Sequence, residues 1–180
     1  WGHGNDLVLV ARDADRLAGT AAELGDRYGV TVQTLPADLA VRADVLRVAA
    51  RLEDPERPID ILVNNAGYGL HVKLLQDDVA AHARAIDVMC LAVLILGGAA
   101  GRAMKARGHG RIINVSSTAG TIYTGNYSAV KAWCTTYSNG LGLELRGTGV
   151  TVTALCPGWV HTEFHQRAGI KASSLPGIVW

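Results

Sequence analysis

The stretch Arg111-Ile-Ile-Asn-Val-Ser-Ser-Thr-Ala-Gly120, continued through Tyr127-Ser-Ala-Val-Lys131, decides how the chain reads. Arg111–Val115 has the character of a short apolar strand. Ser116, Ser117 and Thr118 stand where that strand ends. A glycine-bearing loop follows, and a helix opens at Tyr127. Tyr127 and Lys131 are four apart and share one helix face. A phenol titrates near 10 and is a poor acid or base at neutral pH. A fixed ammonium beside it favours the phenolate and draws that pKa toward the working range. A serine hydroxyl at the neighbouring strand end can donate to the same substrate oxygen. Together the three groups can pass a proton to or from a carbonyl or alcohol oxygen. Alone, a Tyr-x-x-x-Lys pair is more often an amphipathic helix residue beside a solvated lysine.

The company of this pair changes its weight. Asn64-Asn-Ala-Gly67 follows another apolar strand, and Pro157-Gly158 follows a third. Taken with Ser117, Tyr127 and Lys131, these motifs resemble the short-chain dehydrogenase/reductase family. The resemblance runs over nearly the whole chain and is specific in combination.

Outward from that stretch, strands and helices alternate. Leu7–Ala11 is a compact apolar strand, and Asp13 can cap the helix Ala14–Tyr28, which carries Leu17, Ala21 and Leu24 at helical spacing. Val30–Leu35 is the next strand, ended by Pro36. The helix Val41–Leu52 sets Val41, Val45, Val48 and Leu52 on one side. Ile59–Asn64 is a strand, Tyr68–Leu75 irregular, and Asp77–Arg107 one long helix weakened at Gly97-Gly98. The helix Tyr127–Arg146 and the strand Val150–Leu155 complete the series. This pattern predicts an α/β fold: Rossmann-like, three αβα layers, a mostly parallel sheet with right-handed crossovers. Ligands in such sheets bind beyond the carboxyl ends of the strands. Arg12, Asp38, Asn64–Gly67, Ser117 and Pro157-Gly158 all occupy such ends.

The 180 residues predict a single, partial dinucleotide-binding domain over 1–180. A hydrophobic share of 49% suits strands buried on both faces. A net charge of +1 with dispersed signs offers no nucleic-acid surface. Cys90, Cys134 and Cys156 are odd in number, distant and without a Cys-x-x-Cys pair. That favours reduced thiols in a cytoplasmic protein. The most apolar run, Val88–Gly101, is too short to span a bilayer and reads as a buried helix segment, so no membrane partner is expected. His161-Thr-Glu-Phe-His165 lacks the His-Glu-x-x-His order and a third ligand, so no metal is expected. His71, His82 and His109 are isolated. Trp133 and Tyr137, with Val130 and Leu141, form a stripe suited to core or subunit contact.

The family resemblance implies roles by position. Tyr127 would be the acid in reduction and the base in oxidation. Lys131 would lower its pKa and hold the nicotinamide ribose. Ser117 would orient the carbonyl. Ser116 is the alternative, but Ser117 stands three before Gly120 as the family pattern has it. Arg12 would pair with a 2′-phosphate, which favours NADP over NAD, although Asp13 lies beside it. Asp38, with Leu39, would contact the adenine amine. Asn65, Ala66 and Gly67 would lie along the adenosine ribose, while Asn64 braces neighbouring strands. Pro157, Gly158, Val160 and Thr162 would contact the nicotinamide. The long helix and the helix after Tyr127 resemble the family's subunit-packing pair, implying a homodimer or tetramer.

Three departures stand out. The family's first strand, its glycine-rich loop and first helix have no counterpart here, nor has its last strand. The chain is expected to be a fragment of a longer product that by itself binds nicotinamide cofactor weakly or not at all. The two strands flanking that gap should expose backbone groups or slide together. Met89 occupies a position where the family often has asparagine, which weakens a proton relay. The loop Thr121–Asn126 is short and could pull Tyr127 away from Ser117. The implied activity is an NADP(H)-dependent oxidoreductase interconverting a ketone or aldehyde and an alcohol. The rival is a non-catalytic relative that senses cofactor or binds a partner.

Overall fold

The computed structural model describes residues 5–70 and 72–158. In chain order the elements are β1 (Leu7–Ala11), α1 (Ala14–Tyr28), β2 (Val32–Pro36), α2 (Arg42–Leu52), β3 (Ile61–Asn64), α3 (Ala80–Ile86), α4 (Ala92–Arg107), β4 (Gly110–Val115), α5 (Asn126–Glu144) and β5 (Val150–Leu155). A π-helical turn, Asp87–Leu91, joins α3 to α4, and a 3₁₀ turn, Thr118–Thr121, follows β4.

Local chemistry sets the boundaries. Asp13 is extended, and its carboxylate accepts the Arg16 amide at 2.9 Å, which starts α1. Val41 is also extended and precedes α2; it is exposed, and the buried stripe is Val45, Val48, Ala49 and Leu52. The long helix begins at Ala80 rather than Asp77, because the Asp78 carboxylate accepts the Ala80 amide and makes a turn there. Its irregularity lies at Asp87–Leu91 and not at Gly97-Gly98. Gly97 is instead a point of close approach: a Cβ there would sit 2.5 Å from the Tyr137 hydroxyl, which donates to the Leu94 carbonyl.

All strand pairs are parallel, as an α/β alternation requires. The expected single sheet is present as two ladders, β1-β2 and β3-β4-β5. Among the described residues no ladder joins β1 to β3. Both ladders nevertheless pack on one core. Val10 and Leu35 from the first and Leu62 and Val152 from the second meet Val48, Leu52, Leu96, Ala100 and Met104 of α2 and α4. Strand alternation places Leu62, Asn64, Ile112 and Asn114 toward these helices. On the opposite face Ile61 and Val63 are about half exposed. The helix 80–107 is long and apolar enough to cross a membrane, and half of its apolar stretch is buried inside the fold. Burial of Val93, Leu96, Ala99, Ala100 and Met104 accounts for that composition.

Candidate active site

The site grows from the carboxyl end of β4. Asn114 is fully buried in a strand otherwise apolar on that face. An amide there is tolerated only if it is hydrogen-bonded. Asn114 accepts from Asn64 Nδ2 at 2.8 Å and donates to Ser138 Oγ at 2.9 Å; Ser138 in turn donates to the Cys134 carbonyl at 2.7 Å. This chain of polar groups pins β3, β4 and α5 together, with Asn64 as the strand brace.

The next residues of the strand are tied to the helix as well. Ser116 is buried; its Oγ donates to the Lys131 carbonyl at 2.7 Å and lies 2.8 Å from Thr135 Oγ1. Lys131 Nζ donates to the Val115 carbonyl at 2.8 Å. Lys131 therefore holds the strand end through both its main chain and its side chain. Ser117 is extended; its Oγ accepts the Ala119 amide at 3.1 Å, and its hydroxyl is near enough to the Tyr127 phenol to act on it. Of the two serines, Ser117 reaches Tyr127 and Ser116 is turned into the helix. The short loop leaves Tyr127 within reach of Ser117. Its residue Thr124 contacts Ser128 Oγ at 2.6 Å in the first turn of α5.

Lys131 Nζ stands 5.7 Å from the Tyr127 ring centroid. The expectation that its charge draws the phenol pKa down needs correction. Burial pushes Tyr127 up from its ordinary value, against a pull down from the Ser117 hydroxyl. Burial also pushes the Lys131 ammonium down. The reason is geometric: the amine is anchored on the Val115 carbonyl, inside a site where both charged forms are desolvated.

Met89 lies in the π turn, a kind of irregularity that recurs at functional sites. A Cβ added to Gly67 would sit 3.2 Å from Met89 Sδ and 3.7 Å from Lys131 Nζ. The backbone after β3 thus runs close to Met89 of the π turn and to the lysine amine, and Asn65, Ala66 and Gly67 are exposed. Pro157 is fixed to the same corner, because its carbonyl accepts the Thr118 amide at 3.0 Å. Gly158 follows it. Val160, Thr162, His161 and His165 lie outside the described residues, as does His71.

A second corner forms beyond β1 and β2. Arg12 is exposed, and Leu39 packs toward Met89 and Val130. The Asp38 carboxylate accepts the Ala40 amide at 3.0 Å and one guanidinium nitrogen of Arg84, at 3.1 and 2.9 Å from its two oxygens. Arg84, the Ala40 amide and the charge of Arg12 together hold the Asp38 carboxyl below its ordinary range. Arg84 carries no sequence signal, since it lies 46 residues from its partner. Among the described residues no group of His, Cys, Asp or Glu side chains is arranged to hold a metal. A cleft of about 410 Å³ at the opposite strand ends, lined by Asp60, Ile61, His109 and Arg111, contains none of these residues.

The sequence profile of the family described as short chain dehydrogenase matches residues 2–172. The chain belongs to this family. A short-chain dehydrogenase from Sphingobium yanoikuyae, solved in complex with NADPH, superposes with a TM-score of 0.90 at 39% identity, over 96% of this chain and 68% of that one. Galactitol 2-dehydrogenase (L-tagatose-forming) from Cereibacter sphaeroides is 34% identical over 89% of this chain and 63% of its own length. The 3-oxoacyl-(acyl-carrier-protein) reductase FabG from Escherichia coli strain K12 is 32% identical over 92% of this chain and 73% of its own. This member of the short-chain dehydrogenases thus spans roughly two thirds of the length of the relatives it resembles.

Proposed function

We propose that the protein carrying this chain is an NADP(H)-dependent oxidoreductase that interconverts a ketone or aldehyde and an alcohol. The observation that carries the reading is that Ser117 stands within reach of the Tyr127 phenol beside a buried, anchored Lys131. The residues fit a nicotinamide dinucleotide. The exposed backbone of Asn65–Gly67 runs past Lys131, the exposed cation Arg12 stands beyond β1, and a buried Tyr68 hydroxyl has no hydrogen-bond partner among the described residues. Arg12 would hold the 2′-phosphate, Asp38 and Leu39 the adenine, Asn65, Ala66 and Gly67 the adenosine ribose, and Tyr127 and Lys131 the nicotinamide ribose. Pro157, Gly158, Val160 and Thr162 would line the nicotinamide. NADPH in the Sphingobium relative supports this choice over NAD.

When bound, the dinucleotide supplies or accepts the hydride. The chain's own groups handle the oxygen. Ser117 Oγ donates to the carbonyl and orients it. Tyr127 gives its phenolic proton to that oxygen in reduction and takes it back in oxidation. Lys131 stands 5.7 Å from the ring that carries that proton, and its bond to the Val115 carbonyl keeps it in place. The names of the relatives suggest β-ketoacyl thioesters and polyols as the first substrates to try.

The test is NADPH consumption by the protein carrying this chain, against ketones, β-ketoacyl thioesters and sugars. Carbonyl-dependent consumption that Tyr127→Phe abolishes is the expected result. Tight NADPH binding with no turnover on any carbonyl would instead mark a cofactor-sensing relative.

A further inference from the structure

Asp38, just past β2, is paired with Arg84 of α3, and Arg12 and Tyr68 lie in the electrostatic neighbourhood of that pair. Asp38 is bonded to Arg84, Arg12 lies near enough to act on the Asp38 carboxylate, and the Tyr68 phenol is acted on by Arg84, Arg12 and Asp38. The Tyr68 hydroxyl is buried without a hydrogen-bond partner among the described residues. This corner poses a charge problem. A 2′-phosphate carries nearly two negative charges at neutral pH. A bare Asp38 carboxylate would repel it and would also cancel Arg12. An arginine at the end of β1 suits the phosphate. The chain sets a carboxylate near that arginine, so something must offset its charge.

The arrangement of Arg84 supplies the answer. One of its guanidinium nitrogens bridges both Asp38 oxygens, at 3.1 and 2.9 Å. The Ala40 amide takes a further lone pair of Oδ1 at 3.0 Å, and the Asp38 amide is held by Asp44 Oδ2 at 2.7 Å. The carboxylate is thereby fixed in place and neutralised from the side of α3. We propose that Arg84 is a positioning residue that sets cofactor preference: by neutralising Asp38 it leaves the charge of Arg12 free for an adenosine 2′-phosphate. The inference rests on the dinucleotide reading above and goes beyond it by assigning the choice between the two nucleotides to a residue that need not touch either one.

Equilibrium binding decides the matter, with dissociation constants for NADPH and NADH measured by nucleotide fluorescence and for 2′,5′-ADP by calorimetry. Arg84→Met should weaken NADPH and 2′,5′-ADP by about tenfold and change NADH by less than about threefold. Arg84→Lys should keep most of the preference, because a single cationic nitrogen makes the bridge. The double variant Arg84→Met with Asp38→Asn should restore the NADPH to NADH ratio to within about threefold of the parent, since no carboxylate remains to be neutralised. Equal losses for both nucleotides in Arg84→Met, or a ratio that Asp38→Asn does not restore, would overturn the proposal. A parent protein that binds neither nucleotide would overturn the dinucleotide reading itself. That outcome is visible before any variant is made.

Discussion

The two ladders of this molecule are held in different ways. In the β3-β4-β5 half, Ile112 and Asn114 are fully buried, and a run of buried hydrogen bonds links strand to strand and strand to helix. In the β1-β2 half no strand residue is fully buried, and the polar contacts include ion pairs at partly exposed side chains, Arg84 with Asp38 and Arg47 with Asp44. The contrast follows the chemistry proposed for each. A proton transfer needs oxygen atoms held to a fraction of an ångström, which buried hydrogen bonds provide. Recognition of a charged phosphate needs net charge, which ion pairs near the surface can set without rigid geometry.

Removing the acid itself should give the largest effect. Tyr127→Phe should lower kcat for carbonyl reduction about a thousandfold. The urea midpoint should hardly move, because Ser117 keeps its bond from the Ala119 amide. A variant that retained a tenth of parent turnover would take the proton from elsewhere.

The buried half should be the intolerant one. Asn114→Ala strips partners from Asn64 and Ser138 and opens a void beside them. A cost of about 3 kcal/mol is expected in urea unfolding. Asp38→Asn, in the exposed half, should cost under about 1 kcal/mol. Equal costs would erase the distinction between the halves.

Two adjacent serines sharpen the same contrast inside one strand end. Ser117→Ala should cut turnover about a hundredfold and leave stability near the parent, since it removes a donor to the substrate oxygen. Ser116→Ala should do the reverse. It removes a buried donor to the Lys131 carbonyl and a partner of Thr135 Oγ1, and should cost about 1 to 2 kcal/mol of stability with a smaller fall in turnover. Exchange of the two phenotypes would return the catalytic assignment to Ser116.

These differences bear on what could be read from residues alone. β1, α1 and β5 run where an apolar run, the Asp13 cap and a β-branched Val-Thr stretch put them, because those signals are local. Tyr127 and Lys131 were legible for the same reason, being one helical turn apart. The π turn at Asp87–Leu91 has no breaker residue, and Met89 within it packs against the backbone at Gly67. The choice between Ser116 and Ser117 depended on which hydroxyl faces the helix backbone, which a strand's alternation suggests but does not fix. The rise of the Tyr127 pKa came from burial, a property of the whole fold. Arg84 was out of reach altogether, since pairing across 46 residues leaves no mark on spacing.

The smallest effect is the control that gives the Arg84 experiment its meaning. Arg102 on α4 bonds Glu53 after α2 through two guanidinium nitrogens, at 3.0 and 2.7 Å. By distance it is as good a pair as Arg84 with Asp38. Its side chains are more exposed, at 69% and 42%, and it lies away from the strand ends where the dinucleotide would bind. Solvent screening should hold its contribution to about 0.5 kcal/mol or less. Arg102→Met should therefore leave both the urea midpoint and the NADPH to NADH ratio unchanged within error. If removing Arg102 shifted the ratio as far as removing Arg84, the effect would be one of overall charge, and position beside Asp38 would not be its cause.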